Sequence, residues 1–186
     1  EGLWAYGGGD WRRVGGWGVP GWPDDQAVVA LCAAGGRFLV LTPNQLLGAQ
    51  APAQAWETLA AWETLAASPI PFSALACAGQ EIVLGGLGSE TWHSPDGGAS
   101  WRKLPAPWRG ARLLALSLTQ GGDQPNRLYA VTRTESEGLL TLWRSDNQGA
   151  DWQPRLQERT SWQNASLAWL PAQAGETGDE GLLLAA

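Results

Sequence analysis

Methionine is absent from the 186-residue sequence, and lysine and histidine occur once each, against 11 arginines. Because position 1 is a glutamate, we expect a processed or partial chain. The net charge of −6 argues against a surface that follows nucleic-acid phosphates, which needs clustered cations. No apolar run approaches the roughly 20 residues that span a bilayer, and the first residues lack the pattern of a secretion signal. We therefore expect no nucleic-acid partner and no direct membrane span.

Tryptophan and glycine are abundant instead, at 13 and 25 residues. This composition is typical of proteins built from aromatic plugs and tight turns. Four of the tryptophans recur at spacings of 45, 45 and 51 residues, namely Trp11, Trp56, Trp101 and Trp152. Each is followed by a short segment that alternates polar and apolar residues, which predicts a strand with one buried face.

A second repeated block lies between these tryptophans, at residues 30–43, 74–87, 114–133 and 167–186. Each block reads as two strands joined by a glycine-bearing turn, which predicts a hairpin. A third strand carries Trp92 or Trp143, and a fourth follows the repeated tryptophan. Four short strands in about 45 residues is the period of a β-propeller blade. The sequence therefore predicts an all-β fold, a β-propeller of four-stranded antiparallel blades.

Two octapeptides end on the repeated tryptophans, SPDGGASW at 94–101 and SDNQGADW at 145–152. They resemble the Asp-box, or BNR repeat, of sialidases, sortilin-type receptor ectodomains, some xyloglucan hydrolases and the photosystem II stability/assembly factor family. The first match is complete, and the second departs at Asn147 and Asp151. The resemblance implies turns between the third and fourth strands of blades, with structural roles for Ser94, Asp96, Gly98, Trp101, Ser145, Asn147, Gly149 and Trp152. Because asparagine can replace aspartate as a turn acceptor but not as a catalytic carboxylate, the substitution favours architecture over catalysis.

The repeat divides the chain into five segments. We expect outer strands of a first blade at 1–26, three blades at 27–72, 73–110 and 111–160, and inner strands of a last blade at 161–186. The two half-blades could close a four-bladed ring. Alternatively, the chain is an arc of a larger ring, which we expect because rings of four to eight blades are known.

The two cysteines and the single histidine carry no recognisable chemistry in the sequence. Cys32 and Cys77 lie on the first strands of successive repeats. A disulfide needs Cα atoms within about 7 Å, which neighbouring inner strands do not guarantee, so we expect buried free thiols. His93 is expected on a third strand, without the spacing of a metal site or a catalytic triad. No metal or cofactor is expected.

Propeller ligands usually bind where the loops between second and third strands meet the connections between blades. Each connection in this chain contains a tryptophan flanked by charged residues. Exposed tryptophans could stack sugar rings or anchor a protein partner, although tryptophans at nearly fixed phase could equally be packing residues. The candidate binding residues are Trp17, Trp22, Asp24, Asp25, Trp62, Trp108, Arg109, Arg133, Glu135, Glu137, Arg159 and Trp162.

The resemblance to sialidases does not extend to their catalytic residues. No Arg-Ile-Pro motif is present, and the only tyrosines are Tyr6 and Tyr129, the latter at a core-like position. Ordinary glycoside hydrolysis needs two carboxylates about 5 to 10 Å apart, and no spacing here selects a pair. We therefore predict no catalytic residue. The family resemblance implies a non-enzymatic propeller that binds a protein partner or scaffolds an extracytoplasmic assembly, photosynthetic assemblies included; the alternative is a propeller that binds or cleaves polysaccharide.

Overall fold

In the computed structural model, the structure describes residues 3–7, 10–15, 18–19, 22, 27–50, 57–61, 71–86, 89–119, 126–170 and 181–185. These residues form 16 β-strands and no helix, so the predicted all-β class is confirmed. Nothing in those ranges is a helix with the length and apolar character needed to cross a bilayer.

The strands form five antiparallel sheets, numbered here in chain order. The first sheet has two strands, β1 (Leu3–Gly7) and β2 (Asp10–Gly15). The second contains β3 (Ala30–Ala34), β4 (Arg37–Leu41), β5 (Gln45–Ala49) and β6 (Glu57–Ala61). The third contains β7 (Phe72–Ala78), β8 (Glu81–Gly86), β9 (Thr91–Ser94) and β10 (Arg102–Leu104). The fourth contains β11 (Ala111–Thr119), β12 (Arg127–Thr134), β13 (Leu139–Ser145) and β14 (Gln153–Arg159). The fifth has two strands, β15 (Ser166–Leu170) and β16 (Gly181–Ala185).

Consecutive sheets pack face to face, with the innermost strands β3, β7, β11 and β15 in contact in that order. The two sides of an interface differ in residue size. The inner strand of one sheet presents small residues, and the facing sheet presents large ones. On β7, Ala74, Ala76 and Ala78 pack in one cluster with Leu113 and Leu118 of the fourth sheet. Strand order β7-β8-β9-β10 repeats as β11-β12-β13-β14, which is the repeated four-stranded blade of a β-propeller.

Both octapeptides join the third strand of a sheet to its fourth, as predicted. Residues 94–101 connect β9 to β10, and residues 145–152 connect β13 to β14. Trp101 packs against the cluster between the second and third sheets, and Trp152 against the cluster between the third and fourth. These two tryptophans therefore fill the spaces between blades. Trp56 lies outside the described residues.

Cys32 and Cys77 form a disulfide between β3 and β7, with Cα atoms 6.1 Å apart, so the prediction of free thiols is wrong. Cys32 lies three residues before Gly35 in its hairpin turn, whereas Cys77 lies two residues before Gly79. Side chains alternate between the two faces of a strand, so this offset of one residue turns the two thiols toward each other. The disulfide joins two neighbouring sheets at their innermost strands.

Candidate functional site

The first octapeptide closes on itself through its own side chains. Ser94 Oγ accepts from Gly98 N and donates to Asp96 Oδ1, at 2.8 Å in both cases. The Asp96 carboxylate accepts from the backbone N and the hydroxyl of Ser100, at 2.8 and 2.5 Å. These bonds to Ser100 first, and the bond from Ser94 next, lower the pKa of Asp96 to about 2. The carboxylate is therefore held as a turn acceptor, and its oxygens are occupied.

The second octapeptide keeps the same hydrogen bonds, but the bond between the side chains at positions three and seven runs in the opposite direction. Ser145 Oγ donates to Asn147 Oδ1 at 2.9 Å and accepts from Gly149 N at 2.8 Å. Asn147 Oδ1 accepts from Asp151 N, while Asn147 Nδ2 donates to Asp151 Oδ2 at 2.9 Å. In the first octapeptide the carboxylate stands at position three and the donor side chain at position seven, and here the order is reversed. The two departures from the Asp-box pattern therefore compensate each other.

His93 lies buried beside the first octapeptide, on β9 as predicted. Its Nδ1 accepts from Arg102 Nε at 3.1 Å, so Nε2 carries the proton and faces Glu81 Oε2 at 3.3 Å. Burial, and then the charge of Arg102, lower the pKa of His93. The arrangement binds three strands of the third sheet together through a neutral imidazole.

Acidification is expected to destabilise the protein through His93. A lowered folded-state pKa means that the unfolded chain takes up the proton first, so the contribution of His93 is complete above the unfolded value of about 6.5 and is lost as pH falls through the folded pKa. Thermal unfolding of the wild type and of His93→Gln at pH 7.5 and pH 5.5 measures this. We expect the wild type to lose up to about 1.4 kcal/mol per pH unit more than the variant. Equal losses would contradict the assignment.

Four of the predicted binding residues, Trp17, Asp24, Asp25 and Trp62, lie outside the described residues. Two others are packing residues and do not belong to an exposed array. Trp108 is only 3% exposed, and it lies between the third and fourth sheets. Trp22 is half-buried against the cluster between the first and second sheets. For these two, the structure supports the packing interpretation, because each indole packs against a cluster between two sheets.

The remaining predicted residues with described positions lie at one end of the fourth sheet and of the connections beside it. Arg133, Glu135 and Glu137 lie at the end of β12 and in the turn that follows, Arg159 ends β14, Trp162 lies in the next connection and Arg109 lies in the connection before β11. All but Arg133 are exposed. Trp162 is 39% exposed, one of the large apolar side chains that face solvent.

Arg133 links the turn after β12 to the connection after β14. It is 8% exposed, and its Nη1 donates to Glu135 Oε2 at 2.6 Å and to Gln163 Oε1 at 3.4 Å. Among the described residues, no hydrogen-bond partner faces its buried Nε. A buried guanidinium needs partners, and Glu135 and Gln163 supply them at Nη1, which fixes the position of Arg133 at this end of the sheet.

Strand pairing gives Arg133 further polar neighbours. Arg112 on β11 and Leu140 on β13 pair with Arg133 on either side, and Leu140 pairs in turn with Glu158 on β14. Directly paired residues project from the same face of a sheet, here the face that packs on the fifth sheet. Sequence analysis missed Arg112 and Gln163. The register of β11 on β12 identifies the first, and the hydrogen bond to Arg133 the second.

The opposite end of the sheets carries the hairpin turns and the octapeptides. A cleft of about 430 Å³ lies there, lined by Arg37, Gln50, Gln80, Asp96 and neighbouring turn residues. Backbone hydrogen bonds from Gly35 N to Gly79 O and from Gly97 N to Gln80 O, at 2.8 and 2.9 Å, join the turns that line it. Within the described ranges, no group of three histidine, cysteine, aspartate or glutamate side chains is placed to hold a metal. This cleft is a seam between turns, and the end with Arg133 is the better candidate site.

No protein-family model matches the sequence, and no curated protein matches it. Solved structures do share its fold. YCF48 from Cyanidioschyzon merolae is similar with a TM-score of 0.53 and 18% identity, over 74% of this chain and 39% of that one. YCF48 bound to D1 peptide gives 0.52 and 18%, over 73% and 44%. The GH74 xyloglucanase from Xanthomonas campestris gives 0.53 and 21%, over 83% and 27%.

These similarities define the class of protein. The chain has the all-β fold of a β-propeller, built from four-stranded antiparallel sheets. It spans less than half the length of each of these three structures. At identities of 18 to 21%, the likeness concerns the fold and not the activity.

Proposed function

We propose that this chain is a non-enzymatic propeller module that binds a peptide segment of a protein partner at the end of the fourth sheet. The observation that carries the proposal is Arg133, which bonds Glu135 and Gln163, the residue after the exposed Trp162, and pairs with the exposed Arg112 on β11. Arginine and tryptophan are among the side chains that most often dominate binding energy at protein interfaces.

The chemistry of the site suits a peptide. Guanidinium groups bind carboxylates and carbonyl oxygens, and Arg112 and Arg133 stand side by side on adjacent strands. Trp162 offers an apolar surface with low entropy cost for the apolar side chain of a ligand. The carboxylates of Glu135 and Glu137, on the turn between β12 and β13, balance these charges, which favours a mixed polar segment over a polyanion. A protein partner is supported further by the structural neighbour that was solved with a peptide bound.

A polysaccharide ligand is the second candidate, because one structural neighbour is a xyloglucanase. Glu135 and Glu137 are two exposed carboxylates on one turn. Glu135, however, is held by the Arg133 guanidinium at 2.6 Å, which suits an ion pair better than a catalytic acid. Binding without cleavage is therefore the form of this alternative that the contacts favour.

An oxidising, extracytoplasmic location is part of the proposal. Disulfides persist in secreted, periplasmic and other oxidising compartments and are rare in reducing ones. The disulfide between Cys32 and Cys77 supports such a location. We also propose that the chain helps to scaffold an assembly in that compartment. The division into blades at 27–72, 73–110 and 111–160 is a further proposal.

Peptide binding is tested with a phage library of random 12-residue peptides, followed by fluorescence anisotropy with a selected, labelled peptide. We expect Trp162→Ala and Arg112→Ala each to weaken binding at least about tenfold, as hot-spot truncations do. Arg155→Ala is the matched control, because Arg155 is also exposed on β14 and its partner among the described residues is its neighbour Gln153. Its affinity should equal that of the wild type.

The alternative is tested in parallel with soluble xyloglucan and a reducing-sugar assay. Failure to enrich any peptide over an albumin-coated surface would contradict the peptide proposal. Release of reducing ends that disappears in a folded Glu135→Gln variant would replace it with a glycoside hydrolase.

A further inference from the structure

The second octapeptide packs directly on the third sheet, across the boundary between two sheets. Trp152 Nε1 donates to Pro105 O, just after β10, at 3.0 Å. A Cβ added at Gly149 would lie 2.5 Å from Leu104 Cδ1, closer than non-bonded carbon atoms approach, so the backbone of the turn lies against the end of β10. The turn that joins β13 to β14 is therefore part of the contact between the third and fourth sheets.

Arg102, the first residue of β10, makes a charged contact across this boundary. Its exposed side chain donates from Nη2 to Gln148 O, inside the second octapeptide, at 3.4 Å. Gln148 has a φ of 57°, a left-handed conformation that costs free energy in residues with a Cβ. A bond to the carbonyl oxygen of this residue therefore contributes to how firmly the turn is held.

The same guanidinium depends on a group that can take up a proton. Arg102 Nε donates to His93 Nδ1 at 3.1 Å, and His93 is 1% exposed on the neighbouring strand β9. An imidazole that is protonated at both nitrogens has no acceptor left, so it cannot receive this bond. Its charge would also repel that of Arg102 at close range. Because His93 is enclosed and Arg102 is exposed, Arg102 is the side chain that can move away.

Among the described residues, three charged groups act on the His93 imidazole. Glu81 on β8 faces Nε2 at 3.3 Å, and Asp96 lies in the first octapeptide; both carboxylates favour the protonated form. Burial, and next the charge of Arg102, outweigh them and lower the pKa of His93. His93 pairs with Val83 on β8, and the cluster that contains Val83, between the third and fourth sheets, is apolar. At neutral pH the imidazole is therefore neutral, and the bond from Arg102 is present.

We propose that protonation of His93 releases the second octapeptide from Arg102, and that this contact is a pH-sensitive link between the third and fourth sheets. One proton from solvent binds Nδ1, Nε2 keeps its proton and faces Glu81, and Arg102 leaves both His93 and Gln148. The bond from Trp152 Nε1 and the packing of the turn remain, so the change is local and both sheets stay folded. The link is present at neutral pH and is lost on acidification. It lies at the octapeptide end of the sheets, opposite the proposed peptide site, and does not depend on that site.

A nuclear magnetic resonance titration of the 186-residue chain from pH 7.5 to pH 4.5 tests the link. His93 is the only histidine, so its Cε1–H resonance reports its protonation without ambiguity. The Gly149 amide belongs to the same peptide unit as Gln148 O, so its nitrogen and proton shifts report the bond from Arg102. We expect the Gly149 amide and the His93 ring to titrate with one midpoint, below 6.5. A His93 that titrates while the Gly149 amide stays unchanged, or that stays neutral throughout, would overturn the proposal.

Three variants test whether the effect belongs to this pair of side chains. His93→Gln keeps an acceptor oxygen for Arg102 but does not titrate, so the Gly149 amide should lose its shift. Arg102→Gln, at an exposed position, should bring the Gly149 amide at pH 7.5 to the acid position of the wild type, while His93 still titrates. Arg155→Gln, at an exposed arginine on β14, is the matched control and should behave as the wild type. A Gly149 shift that persists in His93→Gln would show that another group titrates and would contradict the proposal.

Discussion

Replacing Trp108 by alanine should lower the free energy of unfolding by about 3 to 5 kcal/mol, the range for large aromatic residues in a core. Its indole lies 4.9 Å from that of Trp152, edge to face, and 5.9 Å from that of Trp143. Removing it leaves a cavity between the third and fourth sheets. Chemical denaturation followed by circular dichroism measures the change.

Two further variants test whether the loss of stability in Trp108→Ala is due to the buried position of this tryptophan. Trp162→Ala should change stability by less than about 0.5 kcal/mol, because that side chain faces solvent. Trp108→Phe should cost less than Trp108→Ala, since it retains ring volume and also removes a buried indole N–H that has no partner among the described residues. A Trp108→Ala variant as stable as Trp162→Ala would show that Trp108 is not a core residue.

Removing the disulfide should cost about 4 kcal/mol, from the chain-entropy relation for a closed loop of 45 residues. Cys32→Ala/Cys77→Ala is compared with the oxidised wild type by chemical denaturation. The physical reason is that the cross-link restricts the unfolded chain between the second and third sheets. The free energy of unfolding falls because the unfolded chain gains conformational entropy, while the folded state keeps its packing. The near-ultraviolet circular dichroism spectrum of the folded variant should therefore resemble that of the wild type.

A reductant provides the internal control for the disulfide. Dithiothreitol should destabilise the wild type toward the level of the double variant and leave the double variant unchanged. Equal stability of oxidised and reduced wild type would contradict a bond between the two cysteines.

The repeat made the fold predictable from the sequence. Tryptophans at a period of about 45 residues, each followed by alternating residues, predicted four strands per repeat, and the third and fourth sheets have them. The octapeptides were predictable as turns because Ser94, Asp96 and Gly98 are residue types that bond or relieve a turn backbone. Local chemistry of this kind does not depend on what packs around it.

Side-chain direction between distant segments was not predictable in the same way. The disulfide depends on an offset of one residue between two hairpins, which the 45-residue spacing of the cysteines conceals. Trp108 and Trp162 occupy similar places in their connections, yet one is buried and the other exposed. That difference depends on the path of each connection over its neighbouring sheet, and Trp108 meets Trp143 of β13 and Trp152 of the second octapeptide, both far along the chain.

The exchange between Asn147 and Asp151 bears on how such turns diverge. Changing Asn147 alone to aspartate would set two carboxylates against each other at a contact of 2.9 Å, whereas Asp151→Ser would leave the amide a hydroxyl acceptor. Passage from one version to the other is possible in single steps through asparagine at position three with serine at position seven, which keeps a donor and an acceptor in contact. A search for divergent blades should score positions three and seven of the octapeptide as a pair that can form a hydrogen bond. Scoring the amino acid at each position separately underestimates the similarity of the two turns.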